Sequence, residues 1–352
     1  MTILKHIYKT PVGCFDEILL EEEKSLRLIL TGKCNLACEF CAYKIEDFYS
    51  PEINSPDFME MRPTEKLRDT LAKMKESLNY NIVHLTGGEP TLSKDLLKIA
   101  ELAKSVGFAI HICSNLISSN PLLELLNRDL LDELTFSYFP LDLEGDRQQL
   151  PKHKGPNEWR MHTILENVKD IKSKFPKLTI KTNICISEYT NIPKLIEFIG
   201  LCWEMDIIPR IQRDRSLDRI SGSTDKTLDI LKLLDVKPEK AIVRVPSSIE
   251  ICEFSNSSGK KLYVKLYNQN FRLKEICKSC AFNNKCGKSL STIKIYETKD
   301  GTLMRFCTVN NESFSNLNID DFLQSSVLAE IKNYKNDKFK YFKKFCENPN
   351  FQ

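Results

Sequence analysis

The sequence predicts an α/β fold in which a parallel sheet is covered by helices. Three observations point there. Short apolar runs alternate with longer stretches of helical periodicity about six times between residues 25 and 213, the pattern of repeated β-then-α units. The 352 residues, 41% hydrophobic and 28% charged, suffice for a large core and one or two domains. The count of six is below the eight units of a closed barrel. An open, three-quarter barrel is compatible with that count, which does not by itself prove it.

The elements follow in order. SLRLILT (25–31) reads as a buried strand that ends where a group of cysteines begins. Residues 63–79 carry a proline near their start and apolar positions at helical spacing. NIVHLTG (81–87) is the next strand, and DLLKIAELAKSVG (95–107) the next helix, closed by Gly107. AIHICSN (109–115) reads as strand, NPLLELLNRDLL (120–131) as helix and ELTFSYF (133–139) as strand. A helix over 157–174 leads into LTIKTNICI (178–186), and a helix over 192–205 into IIPRIQR (207–213). Beyond residue 214 the chain becomes rich in Lys, Asp and Ser, with short strand candidates at 241–245 and 261–267. TIKIYETKDGTLMRF (292–306) reads as a hairpin turning at Lys299-Asp300-Gly301. The basic, aromatic final residues read as a helix with a loose tail. The expected division is an N-terminal extension over 1–24, a barrel over 25–215 and a smaller C-terminal region over 216–352.

Composition narrows the function. A net charge of only +3 gives no electrostatic case for nucleic acid. No apolar run approaches the ~20 residues that span a bilayer, and MTILKHIYKTPVG lacks the apolar core of a signal peptide. The expectation is a cytoplasmic protein that engages neither membrane nor nucleic acid. Thirteen cysteines are then unusual. In a chain of this kind, tightly spaced cysteines point to metal ligation or redox work rather than disulfides. Two dense groups stand out: Cys34, Cys38 and Cys41, and Cys277, Cys280 and Cys286 with Cys307 beyond. Cys113, Cys185 and Cys202 sit in apolar surroundings and read as small core residues.

CNLACEFC places three thiols within eight residues directly after a strand. A four-iron cluster ordinarily takes four cysteines. Three leave one iron open, much as a catalytic zinc keeps an open position. The alternative, a zinc knuckle, favours paired C-x2-C spacing with a fourth Cys or His nearby, and none is near. About fifty residues on, His84-Leu85-Thr86-Gly87-Gly88-Glu89-Pro90 follows the second strand. Its glycines remove side chains where backbone has to approach closely, leaving backbone oxygens and Glu89 as acceptors.

C-x3-C-x2-C after a strand, followed by GGEP, resembles the radical S-adenosylmethionine (SAM) superfamily over residues 25–215. The resemblance implies a partial (β/α)6 TIM-like barrel of parallel strands. It implies a catalytic 4Fe-4S cluster on Cys34, Cys38 and Cys41, with SAM chelating the open iron. Gly87, Gly88, Glu89 and Pro90 would bind SAM, joined by the strand-end residues Ser114, Asn115, Ser137 and Asn183. Arg210 would pair with the SAM carboxylate, and Phe40, rather than Tyr43, would pack on the adenine. The implied chemistry is reductive cleavage of SAM to a 5′-deoxyadenosyl radical that takes a hydrogen atom from a substrate, with electrons from a donor such as flavodoxin or ferredoxin.

The second group resembles the twitch or SPASM-like auxiliary region of MoaA-like (GTP 3′,8-cyclase-like) members. That implies a second, auxiliary 4Fe-4S cluster on Cys277, Cys280, Cys286 and Cys307, held by three or four of them; a zinc site remains the alternative. Residues 281–294 carry lysines but no arginines, and the chain ends in Asn-Phe-Gln, so the expected substrate is a small molecule or nucleotide-like compound other than GTP. The alternatives are maturation of a ribosomally made peptide by crosslinking, epimerisation or oxidation, and a non-catalytic iron–sulfur or zinc protein. About 25 residues precede the first expected strand, so no leader-recognition domain is expected there. Lys152, His153 and Lys154, with Arg213 and Arg215, are further basic groups that an anionic substrate would meet at the barrel mouth; an ordinary polar loop is the plainer reading of them.

Overall fold

The structure, a computed structural model, describes residues 2–36, 41, 56–138, 157–186, 190–213, 223–244, 249–267, 293–306, 316–337, 340 and 342. Six parallel strands lie side by side in chain order: β3 (Ser25–Ile29), β5 (Ile82–Thr86), β6 (Ala109–Ser114), β7 (Glu133–Tyr138), β8 (Thr179–Ile186) and β9 (Ile208–Arg213). Between them run α1 (Glu65–Leu78), α2 (Leu96–Ser105), α3 (Asn120–Asn127), α4 (Asn157–Lys174) and α5 (Ile192–Glu204). This is an open, partial (β/α)6 barrel; the sheet does not close on itself. Helix α1 shows how the sequence specifies one unit. Thr64 accepts a hydrogen bond from Leu67 N (3.2 Å) as its N-cap. Leu67, Leu71, Met74 and Leu78 then stack on one buried face, and Asn79 stops the helix in the left-handed region (φ 52°).

The sheet continues past the barrel at both edges. Beyond β9 lie β12 (Lys261–Tyr267), β11 (Ile249–Ser255), β10 (Lys237–Arg244) and the N-terminal hairpin β2 (Gly13–Glu21) and β1 (Thr2–Thr10). Beyond β3 lie β13 (Lys294–Thr298), β14 (Gly301–Arg305) and β15 (Asn316–Leu317), with β4 (Phe58–Met59) paired to β13. Helix α6 (Ser223–Leu233) precedes β10, and α7 (Ile319–Leu323) and α8 (Ser326–Asn336) follow β15. The N-terminal extension and the C-terminal strands therefore share one sheet: β2 pairs in parallel with β10, β12 with β9, and β13 with β3. The hairpin at 292–306 is present, turning between Thr298 and Gly301. The β1–β2 hairpin and β11 were not among the strands expected from sequence.

Each barrel strand divides its side chains between two faces. Leu26, Leu28, Val83, Leu85, Ile110, Ile112, Leu134, Phe136, Ile180 and Ile184 face the helices and are fully or almost fully buried in the core. The alternate positions face the lumen and include Arg27, His84, His111, Glu133, Lys181, Asn183 and Arg210 beside apolar residues such as Ile29 and Ile82. Cys113 and Cys185 lie on this lumen side and are half-buried, whereas Cys202 is in the core as expected. The reading of Cys113 and Cys185 as core residues fails because strand alternation turns them inward.

Candidate active site

The first cysteine loop leaves the C-terminal end of β3, where barrel folds carry their sites. It is fixed by backbone before any cysteine is reached. Leu30 N donates to Thr86 O (2.9 Å), Gly88 N to Thr31 O (2.7 Å) and Glu89 N to Lys33 O (2.7 Å). Parallel pairing thus runs on beyond both strands and lays the GGEP turn along the entry to the cysteines. The glycines are required by this approach: a Cβ on Gly88 would collide with the Lys33 carbonyl, and Gly87 sits at φ 137° against the Thr31 backbone. Thr31 accepts from Lys33 N (3.1 Å), and Lys33 pairs with Glu60 (2.6 Å). The Lys33 ammonium holds the Glu60 carboxyl below its ordinary value. Cys34 is exposed, its sulfur accepting from Leu36 N (3.4 Å), and Cys41 is half-buried; neither forms a disulfide among the described residues. Cys38 and Phe40 lie outside the described residues.

Glu89 ties three segments together. Its carboxylate is buried (2% exposed) and accepts from Thr91 N (3.2 Å), Thr91 Oγ1 (2.8 Å), Ser114 Oγ (2.7 Å) and Asn115 N (2.7 Å). Asn115 Nδ2 donates onward to Asn35 Oδ1 (2.6 Å), inside the cysteine loop. Pro90 opens the single 3-10 turn that carries Thr91. So Gly87, Gly88, Glu89, Pro90, Ser114 and Asn115 are brought together with Cys34. Asn35, which completes the connection, was not singled out in the sequence.

A second group lies further round the barrel. Ser137 is opposite Asn183 in register, and Asn183 opposite Arg210. Arg210 Nε donates to Asn183 Oδ1 (2.7 Å), and Asn183 Nδ2 approaches Cys113 Sγ (3.9 Å). Burial lowers the Arg210 guanidinium from its ordinary value and raises the Cys113 thiol. Arg210 has no carboxylate partner among the described residues.

Lower in the lumen a lateral row crosses five neighbouring strands: Lys294, Arg27, His84, His111 and Glu133 pair successively in register. The two imidazoles meet edge to face at 5.1 Å. Glu133 accepts from Lys181 Nζ (2.6 Å) and lies 3.7 Å from His111 Nδ1. Burial, then Arg27, His111, Arg210 and Arg244, holds His84 well below its ordinary value; His111 is lowered too, chiefly by burial. The sequence did carry a signal for this row. Strands buried on both faces read as continuous apolar runs, whereas AIHICSN, which carries His111, alternates polar with apolar residues.

Cys277, Cys280, Cys286 and Cys307, the basic group Lys152, His153 and Lys154, and Tyr43 and Arg215 all lie outside the described residues; for Arg213 the backbone alone is described.

A family model described as the Radical SAM superfamily matches residues 28–202. Among curated proteins, the chain is 41% identical over 76 residues to the GTP 3′,8-cyclase of Haemophilus influenzae (strain PittEE), a match covering 22% of this chain and 20% of that protein. It is 23% identical over 328 residues to the Fe-coproporphyrin III synthase of Methanosarcina barkeri (strain Fusaro / DSM 804), covering 87% and 75%. The match to the cyclase spans about a fifth of the cyclase's length. Among solved structures, the one titled "Native anSMEcpe with bound AdoMet" superposes with a TM-score of 0.51 at 13% identity, over 87% of this chain and 79% of that one. At that identity the likeness is one of fold.

Proposed function

The chain belongs to the radical SAM superfamily through residues 28–202, and from that premise we propose that it is an enzyme cleaving SAM reductively to drive hydrogen abstraction from a small-molecule substrate. The observation that carries this reading is the backbone lacing of the GGEP turn to the cysteine loop. A 4Fe-4S cluster with SAM supplies one-electron cleavage of the C5′–S bond, giving a 5′-deoxyadenosyl radical. The chain's residues fit that group. Cys34, exposed, and Cys41, half-buried, are thiols in the loop that leaves a barrel strand at its C-terminal end, a donor type suited to iron–sulfur chemistry, and Cys38 completes the three-cysteine set in sequence.

The chain's own residues do the positioning. Glu89, saturated by donors from Thr91, Ser114 and Asn115, keeps the ends of β5 and β6 level beside the loop. Asn115 then fixes Asn35. Arg210, held by Asn183, has further guanidinium donors that would pair with the SAM carboxylate. Ser137 and Asn183 line the same wall. In this reading Cys277, Cys280, Cys286 and Cys307 hold an auxiliary 4Fe-4S cluster, and a flavodoxin or ferredoxin supplies electrons. The names of the two curated relatives denote syntheses of small molecules, which supports a small-molecule substrate over a peptide.

The test is spectroscopic. In the reduced, reconstituted protein, adding SAM is expected to change the electron paramagnetic resonance signal of the first cluster, and Arg210→Leu is expected to raise the SAM concentration this requires. A spectrum indifferent to saturating SAM would contradict the proposal.

A further inference from the structure

Arg210 lacks a carboxylate partner among the described residues although a carboxylate stands close by in the same sheet. The wall that holds Arg210 continues beyond the barrel as one lateral row. Ser137 on β7, Asn183 on β8, Arg210 on β9, Tyr263 on β12, Glu253 on β11 and Lys240 on β10 pair successively in register. Residues opposite one another in register project to the same face of a sheet. On β12 the other face is fixed independently: Leu262, Val264 and Leu266 are buried in the core, which leaves Tyr263 on the side of Arg210.

Glu253 is buried (4% exposed). Its oxygens meet Lys261 Nζ (2.8 Å) and, at longer range, Lys240 Nζ (3.7 Å), and both lysines are partly exposed. Lysine pairs of that kind are weak, and the planar fork of an arginine is the better partner for a carboxylate. At ordinary strand spacing the Cα atoms of Arg210 and Glu253 are about 10 Å apart, a gap that their two side chains can close. Tyr263 stands between them in the row. Burial, and then the Glu253 carboxylate, push its phenol up to about 12, so it stays neutral near pH 7. We infer that Tyr263 is a positioning residue: its ring separates Arg210 from Glu253 and keeps the guanidinium, steadied by Asn183 on its other side, free for the carboxylate of SAM. The identification of SAM as that ligand rests on the radical SAM reading above. Tyr263 and Glu253 both lie outside the stretch matched by the family model, on strands added to the barrel.

The test titrates SAM into the reconstituted, reduced full chain and follows the electron paramagnetic resonance signal of the first cluster. Tyr263→Val removes the ring while suiting a strand. Arg210 then pairs with Glu253, and the SAM concentration for half the spectral change is expected to rise at least about tenfold. Tyr263→Phe keeps the ring and should titrate as the wild type does. Adding Glu253→Gln to Tyr263→Val removes the competing carboxylate and should restore the wild-type titration, with the single Glu253→Gln variant as its baseline. A ring that merely filled space would not be rescued in this way. Tyr263→Thr, a second small strand-forming variant, decides the question if Tyr263→Val does not take up the cluster. A Tyr263→Val protein that titrates like the wild type, an equal loss in Tyr263→Phe, or a loss that Glu253→Gln leaves in place would overturn the inference. The wild type separates the two levels of the argument. A wild-type response to SAM that Tyr263→Val leaves unchanged removes this inference alone, whereas a wild-type spectrum indifferent to saturating SAM removes the radical SAM reading and this inference with it.

Discussion

Glu89 and Gly88 show how the site depends on single residues. Glu89→Gln replaces a buried carboxylate oxygen with an amide group that faces donors, and is expected to cost about 1–3 kcal/mol in denaturant unfolding. Gly88→Ala drives a Cβ into the Lys33 carbonyl; the expected result is lower iron incorporation at the first site with the barrel still folded. His84 gives a pH dependence. Its folded-state value lies well below the ordinary 6.5, so between that lowered value and about 6.5 the unfolded chain binds a proton that the native chain does not. Stability is therefore fully present above about pH 6.5 and falls as the pH drops below it. His84→Gln is expected to flatten that decline in thermal melts recorded from pH 7 down to about pH 5. At this scale the cysteines and GGEP were legible because their chemistry lies in fixed local spacing. The Asn35–Asn115 bond was not, since its partners are 80 residues apart in sequence.

Among elements, the barrel units were readable because each is local: a strand, a turn and an amphipathic helix within some thirty residues. The expected helix over 63–79 is observed at Glu65–Leu78, framed by Thr64 and Asn79. The one expected over 120–131 stops at Asn127, because Asp129 adopts the left-handed region (φ 55°) and Leu130 and Leu131 are buried in the connection to β7. What escaped was pairing between distant segments. β2 has its apolar side chains at Phe15, Ile18 and Leu20 and finds a parallel partner in β10, more than 200 residues later; nothing local announces that contact. Caps remain predictable at this scale. Asn191 accepts from Lys194 N (3.0 Å) at the start of α5, so Asn191→Ala should destabilise the protein by about 1 kcal/mol, measurable by denaturant titration.

Across the whole molecule, one sheet joins the barrel to segments from both ends of the chain. The regions on either side of the expected divisions after residues 24 and 215 share strand pairs: β2 with β10, β9 with β12 and β3 with β13. Removing residues 1–24 would strip β10 of its partner β2 and Arg244 of Glu21. Stopping at residue 215 would expose the edges of both β3 and β9. Both truncations are expected to lose cooperative thermal unfolding, as followed by circular dichroism. Among the described residues no helix is long and apolar enough to cross a membrane. The account as a whole rests on the cysteine loop working as a radical-generating centre. The most direct measurement is anaerobic reconstitution with an iron count and an assay of 5′-deoxyadenosine formed from SAM under reductant, alongside Cys34→Ala/Cys38→Ala/Cys41→Ala. About eight irons per chain, falling to about four in the triple variant with loss of product, is the predicted result. A full complement of iron without 5′-deoxyadenosine, or product that survives the triple substitution, would contradict it.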